Sequence, residues 1–341
     1  MITAKIVEKM EEYLEIPATT AFEEPFFDYL EKDFIKIGCE AEKHDKVLVV
    51  TKGNKNKNIV TCHIDREGLF VNEKKDVEYV VYHVRRSNGQ TVRGTKDKAD
   101  KIGSDFVGCE VFSYNSKGEI LETGRVLSYD FNLDEELLFF KVKGFNDLLP
   151  NQALSFGNNL KTDEKYISGQ TDNVISVATL YKLVEDGFEG TILFAAEEEI
   201  GRSGTCIAEY FEKTGVSPQN VLSIDITPYG DKGPIDDGLI VLRNKDGRGN
   251  FNSELVDVLK SICKKENLKY QMKDEHLVSP DKMKPYKGLG FTELGQIVKA
   301  SGGKISGATV QLPVYHEKMH IETTSYKALH NYYFFLKKIT E

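Results

Sequence analysis

The apolar run from Thr191 to Ala196 stops abruptly in three adjacent carboxylates, Glu197, Glu198 and Glu199, followed by Ile200 and Gly201. A run of this length reads as a buried strand, and the glycine after it as a turn. Three neighbouring acids at a strand end repel one another and are costly unless a cation or a proton offsets them. Taken alone, a solvated turn accounts for the triplet equally well. The wider chain favours a cation, because His63, Asp65, Asp172, Asp225 and His316 also fall just after or between apolar runs. Together they offer the imidazole and carboxylate donors of a metal site.

Those runs alternate with helical patterns. Residues 6–14 and 26–37 read as helices, and residues 47–51 and 58–62 as strands joined by a hairpin turn over Lys52 to Lys57. From Asp172 onward, helices over residues 173–184, 205–214, 253–266, 291–301 and 326–339 alternate with strands over 191–196, 221–225 and 309–314. Buried strands between amphipathic helices predict an α/β three-layer sandwich, a central mixed sheet covered by helices. Ligands at strand carboxyl ends then fall in its crevice. Residues 71–164 differ in character, with short strands expected at 78–85, 110–115, 124–130 and 136–144 and no long helical periodicity. They are read as an inserted small β-rich domain rather than a set of long loops. Residues 1–70 and 165–341 form the main domain.

The net charge of −9 and the lack of a dense Lys/Arg block argue against a nucleic-acid or anionic-membrane partner. No apolar run reaches transmembrane length, and the N-terminal segment is charged with helical period, so a cytoplasmic location is expected. The five cysteines are scattered without a CxxC pair, which disfavours a disulfide scaffold or a thiolate zinc site. Cys62 precedes His63 in a strand, so it faces the core while the histidine faces the opposite side.

His63 and Asp65 are two residues apart and share one side of an extended segment. That spacing suits a metal-ligating imidazole whose other ring nitrogen is held by a carboxylate. Asp172 suits a ligand or an ordinary helix N-cap; Asp225 suits a ligand or a cap, though Pro228 disfavours a helix starting there.

The segments Cys62-His-Ile-Asp-Arg-Glu-Gly68, Gly169-Gln-Thr-Asp-Asn173, Glu198-Glu-Ile-Gly201, Ile224-Asp-Ile-Thr-Pro228 and Lys232-Gly-Pro234 occur in an order and spacing that resembles the co-catalytic metal exopeptidases. The resemblance is greatest to the glutamyl aminopeptidase branch that assembles into tetrahedral particles. It implies two divalent ions, with zinc expected and cobalt or manganese able to substitute. His63 and Asp225 are then implied as ligands of one ion, Asp172 as the bridge, and Glu199 with a C-terminal histidine as ligands of the other. Glu198 is implied as general base, with Asp65 supporting His63. The chain departs from the branch at Thr171, Asn173, Phe291-Thr-Glu293 and Leu312-Pro-Val-Tyr-His-Glu-Lys-Met-His320.

The implied activity is aminopeptidase hydrolysis of short peptides through a metal-bridging water. Glu293 is a candidate to meet the substrate's N-terminus, and Glu197 is expected to be a solvated neighbour. A carboxypeptidase or small-molecule deacylase would instead need a cation such as Arg202 or Lys232 for a substrate carboxylate. A non-catalytic assembly or binding protein on the same fold is the third reading. The resemblance also implies a homo-oligomer assembled through the insertion. His316 is preferred over His320 as the last ligand, because a strand ends just before it and Thr324 or Ser325 can cap the final helix.

Overall fold

A computed structural model of the chain describes residues 2–92, 95–132, 134–277, 286–318 and 320–341. Val47–Lys52 shows why its sequence builds a middle layer. Leu48 and Val50 enter one apolar cluster, whereas Val47 and Val49 enter another on the opposite face. Gly190–Ala195 repeats this, with Ile192 and Phe194 on one side and Leu193 and Ala195 on the other. A period of two with both faces apolar dictates helices on both faces. Ile2–Leu14, Glu24–Lys36, Val174–Glu185, Ser253–Lys265 and Tyr326–Thr340 cover the first face; Ser203–Thr214 and Glu293–Ala300 cover the second.

The main path of the sheet runs Glu40–His44, Val47–Lys52, Gly190–Ala195, Ile59–His63, Val221–Tyr229, Gly307–Lys318, Ile321–Ser325, Tyr166–Gly169 and Lys161–Thr162, while Ile240–Arg243 branches from Gly307–Lys318 and carries Tyr270–Met272. Its centre is parallel: Gly190–Ala195 and Val221–Tyr229 both run alongside Ile59–His63. The carboxyl ends of these strands therefore meet at one edge, where His63, the acidic triplet and Asp225 lie.

The second unit is a closed six-stranded barrel of Gly68–Val71, Val77–Tyr79, Leu137–Lys143, Ile120–Asn132, Glu110–Tyr114 and Gln152–Phe156. The helices Val80–Ser87 and Lys96–Phe106 pack with it, sharing its core through Val80, Val84, Ile102 and Phe106. Closure leaves no unpaired edge strand. No helix among the described residues is long and apolar enough to cross a membrane.

Several local expectations change. Residues 52–57 do not close a hairpin, because Gly190–Ala195 inserts between the flanking strands, antiparallel to one and parallel to the other. Val47–Lys52 instead forms its hairpin with Glu40–His44, whose polar sequence hid it. The strand expected at residues 78–85 is mostly the helix Val80–Ser87: its valines follow a helical face, and the short β-branched run misled. The second helix of the insertion, Lys96–Phe106, was also unread; Thr95 caps it by accepting from Lys98 N–H.

Candidate metal centre

The strand Ile59–His63 delivers His63 to the crevice, 2% exposed. Its Nε2 lies 3.1 Å from Asp172 Oδ1 and 3.5 Å from Asp225 Oδ1. One donor atom from each of these three residues falls within 4.8 Å of the other two, a metal-binding triad. The capping alternatives do not hold. The N-cap of Val174–Glu185 is Asn173 rather than Asp172, and Asp225 lies inside the strand Val221–Tyr229. Cys62 is buried and faces the core, as expected, accepting a contact from Asn173 Nδ2 at 3.3 Å.

Asp65 sits 3.6 Å from His63 Nδ1 through Oδ1. Its stronger bonds go elsewhere: it accepts the backbone N–H groups of Glu198 at 2.8 Å and Glu199 at 3.1 Å. Thr20 Oγ1 also donates to it at 3.2 Å. One buried carboxylate thus stands beside the imidazole and fixes the backbone of the acidic turn. This second task was not legible from the spacing of His63 and Asp65.

The acidic turn itself depends on two left-handed residues, Glu197 at φ 68° and Gly201 at φ 77°. A simple strand would send Glu198 and Glu199 to opposite faces; the turn removes that restriction. Glu197 is not solvated. It is 4% exposed and lies 3.2 Å from both Lys46 Nζ and Arg202 Nη1. These ion pairs hold its side chain through two cations and commit Arg202 to a structural partner.

Burial pushes the Glu198 carboxyl up to about 8, an effect that His63 opposes and Asp225, Asp65 and Asp172 reinforce. Burial, then Glu67 and Asp172, raise Glu199 well above the usual carboxylate range. Asp225 is likewise raised by burial. Burial lowers the basicity of His63, but hydrogen bonds with Asp172, Asp225 and Asp65 outweigh it and raise the imidazole well above its ordinary value. Such a charge set favours either protons or cations.

Beside the triad is a cavity of about 150 Å³ lined by Glu67, Gln170, Asp172, Glu199, His316, His320 and Glu322. His316 lies within Gly307–Lys318 rather than after it, opposite Glu322 on Ile321–Ser325. Its Nε2 is buried without a hydrogen-bond partner, and burial lowers its basicity. Glu322 accepts from Thr171 N–H at 2.7 Å and Asp172 N–H at 3.3 Å, fixing the turn that presents Asp172. Glu67 receives the Tyr79 hydroxyl, while burial raises its carboxyl to about 7. The sequence reading gave neither Glu67 nor Glu322 a role; the spacing of Glu67 from His63 and Asp65 was the available signal.

His320 belongs more to the barrel. Its ring stacks on Phe156 at 5.5 Å and meets Phe106 edge-on, while Nε2 lies 3.0 Å from Cys109 Sγ. Met319, its chain neighbour, lies outside the described residues. Glu293 is 2% exposed, and burial raises it to about 7. The charges of His63 and Asp225 act on its carboxyl. Lys232 Nζ lies over the rings of Tyr166 and Tyr315 at 4.4 and 5.7 Å.

The family model described as M42 glutamyl aminopeptidase matches residues 155–281. No curated protein matches the chain significantly. Among solved structures, an aminopeptidase from the archaeon Desulfurococcus kamchatkensis superposes with TM-score 0.72 at 14% identity, covering 100% of this chain and 96% of that one. The Pyrococcus horikoshii TET1 peptidase, described as able to assemble into a tetrahedron or a large octahedral shell, gives TM-score 0.70 at 18% identity over 98% and 99%. A Thermotoga maritima protein described as an endoglucanase gives 0.66 at 13% over 97% and 96%. The chain therefore carries the M42 glutamyl aminopeptidase pattern over residues 155–281 on a fold shared along its length with the Desulfurococcus kamchatkensis aminopeptidase and the Pyrococcus horikoshii TET1 peptidase.

Proposed function

We propose that the protein is a di-metal aminopeptidase that removes N-terminal residues from short peptides. The fold alone does not choose this activity, since one protein of the same fold is described as an endoglucanase. The observation that carries the reading is the juxtaposition of the His63–Asp172–Asp225 triad with the neighbouring Glu199–His316 cavity, both sharing Asp172. Imidazole and carboxylate donors suit zinc, with cobalt or manganese as substitutes. His63 and Asp225 would hold one ion, Glu199 and His316 the other, and Asp172 both. Ions held there supply Lewis-acid polarisation of a peptide carbonyl and acidify water.

The protein's own part is proton handling. Glu198 is half-buried next to the triad with its carboxyl at about 8, which suits a group that accepts a proton and returns it to the leaving amine. Asp65 holds the backbone N–H of that residue and stands beside His63. A carboxypeptidase or deacylase reading loses one of its candidate cations, because Arg202 pairs with Glu197.

The deciding experiment is Glu198→Gln, which keeps side-chain volume and removes the base. Hydrolysis of aminoacyl amides should fall ~100- to 10,000-fold while two ions per chain remain by elemental analysis. A wild-type protein that binds fewer than two ions and cleaves nothing across a peptide panel would sink the reading. The barrel is proposed as the assembly surface of a homo-oligomer, as its outward Ile120, Leu121, Leu127 and Leu149 are each about half exposed.

A further inference from the structure

The acidic turn is gripped from two sides, and one of them is the inserted barrel unit. Asp65, in the sheet unit, accepts the N–H groups of Glu198 and Glu199. The Glu199 and Ile200 carbonyls are held from the inserted unit. Arg85 Nη2, at the end of the helix Val80–Ser87, donates to Glu199 O at 3.1 Å. Gln90 Nε2, just beyond that helix, donates to Ile200 O at 3.3 Å. The two clamping residues are themselves joined, because Gln90 N–H bonds to Arg85 O at 2.8 Å. The Ile200 side chain, 2% exposed, belongs to the apolar core of the barrel together with Leu69, Val80, Phe106 and Leu154.

We propose that Arg85, Gln90 and Ile200 are positioning residues that make the inserted unit set the placement of Glu198 and Glu199. The turn needs such support. Glu197 holds a left-handed backbone that a non-glycine residue adopts at a cost, and the neighbouring acids repel one another. Bonds from Asp65 to the Glu198 and Glu199 N–H groups, and the internal bonds Gly201 N–H to Glu198 O and Arg202 N–H to Glu197 O, hold the peptide planes on either side of the Glu199–Ile200 link but not that link itself. Arg85 holds it through the Glu199 carbonyl, Gln90 adds a bond to the Ile200 carbonyl, and the buried Ile200 side chain fixes the turn's depth. Arg85 adds a cation beside a segment of concentrated negative charge, so its guanidinium also lessens the repulsion that would open the turn. Displacement of a catalytic group by a fraction of an ångström is enough to slow a reaction.

The catalytic consequence rests on the proposed function, but the clamp has a test of its own. Arg85→Met and Arg85→Lys are compared with Arg86→Met, whose guanidinium pairs with Glu78 instead of the turn. Circular dichroism establishes that all three are folded. In the metal-free full chain, amide exchange at residues 198–202 should be ~10-fold faster in Arg85→Met, partly restored in Arg85→Lys and unchanged in Arg86→Met. Unchanged exchange in Arg85→Met overturns the clamp whatever the protein catalyses. Zinc titration and peptide hydrolysis then read the consequence: weaker binding of the second ion and a lower kcat, each by ~10- to 100-fold, with little change in KM. Faster exchange with unaltered zinc affinity and kcat would refute the positioning role. A wild type without metal or hydrolysis would count against the functional reading instead, leaving exchange to decide the clamp. Ile200→Val and Ile200→Ala provide a second route, with faster turn exchange expected in the alanine variant and near-wild-type behaviour in valine.

Discussion

At the scale of single residues, the choice between His316 and His320 is made by what each ring touches. His316 points a partnerless buried nitrogen into a cavity of carboxylates, whereas His320 is stacked against Phe156 and close to Cys109. His316→Ala is therefore expected to lower bound zinc from two ions to one and abolish most activity, with His320→Ala keeping both ions. Elemental analysis of the two variants checks this; loss of an ion only from His320→Ala would reverse the assignment. Both histidines were visible as candidates in the sequence, and so were His63, Asp172 and Asp225. Their convergence follows from strand order, which no local pattern encodes. Glu197 illustrates the limit well. A triplet of acids looks solvated until Lys46 and Arg202, remote or turned aside in sequence, are brought within ion-pair distance.

At the scale of elements, legibility followed burial. The helix Tyr326–Thr340, with one apolar stripe, was read to within a residue, and Ser325 does cap it by accepting from Ala328 N–H at 3.0 Å. Of the strands buried on both faces, Gly190–Ala195 and Ile59–His63 were equally clear, whereas the four-residue runs Gly68–Val71 and Ile240–Arg243 were too short to stand out. Glu40–His44 was missed because it is an edge strand with a polar sequence, and Ile321–Ser325 because a final short strand between His320 and a helix cap reads as a loop. Val80–Ser87 was misassigned because a run of valines and a tyrosine has strand propensity, while barrel packing selects a helix. That helix supplies Arg85. The element hardest to read from sequence is thus the one from which the inserted unit reaches the acidic turn.

At the scale of the whole molecule, the α/β order predicted the layered sheet, and the barrel's closure required long-range pairing that short strands do not announce. If the barrel is the assembly surface, Leu121→Asp should reduce the particle mass measured by light scattering without changing the fold; an unchanged mass would argue against that surface. The buried charge cluster makes a further expectation about stability. Glu198 at about 8 and Glu67 at about 7 lie above an ordinary carboxyl near 4.5, so the folded metal-free protein binds protons that the unfolded chain releases. The raised His63 acts in the same direction. Stability from these groups is greatest at low pH and is lost as pH rises through 4.5 towards 8, because the folded state must then ionise carboxylates in a poorly hydrated, mutually repulsive site. Divalent ions favour the ionised form, so they should restore what proton loss removes. The metal-induced rise in Tm is accordingly expected to be small near about pH 5.5 and to grow towards about pH 8.5. Thermal melts with chelator and with added zinc or manganese across this range check it, alongside calorimetry in buffers of different ionisation enthalpy to count released protons. A metal-induced shift that is constant with pH, or binding without proton release, would mean either that the cluster is already ionised in the metal-free protein or that its carboxylates are not the ones the ions engage.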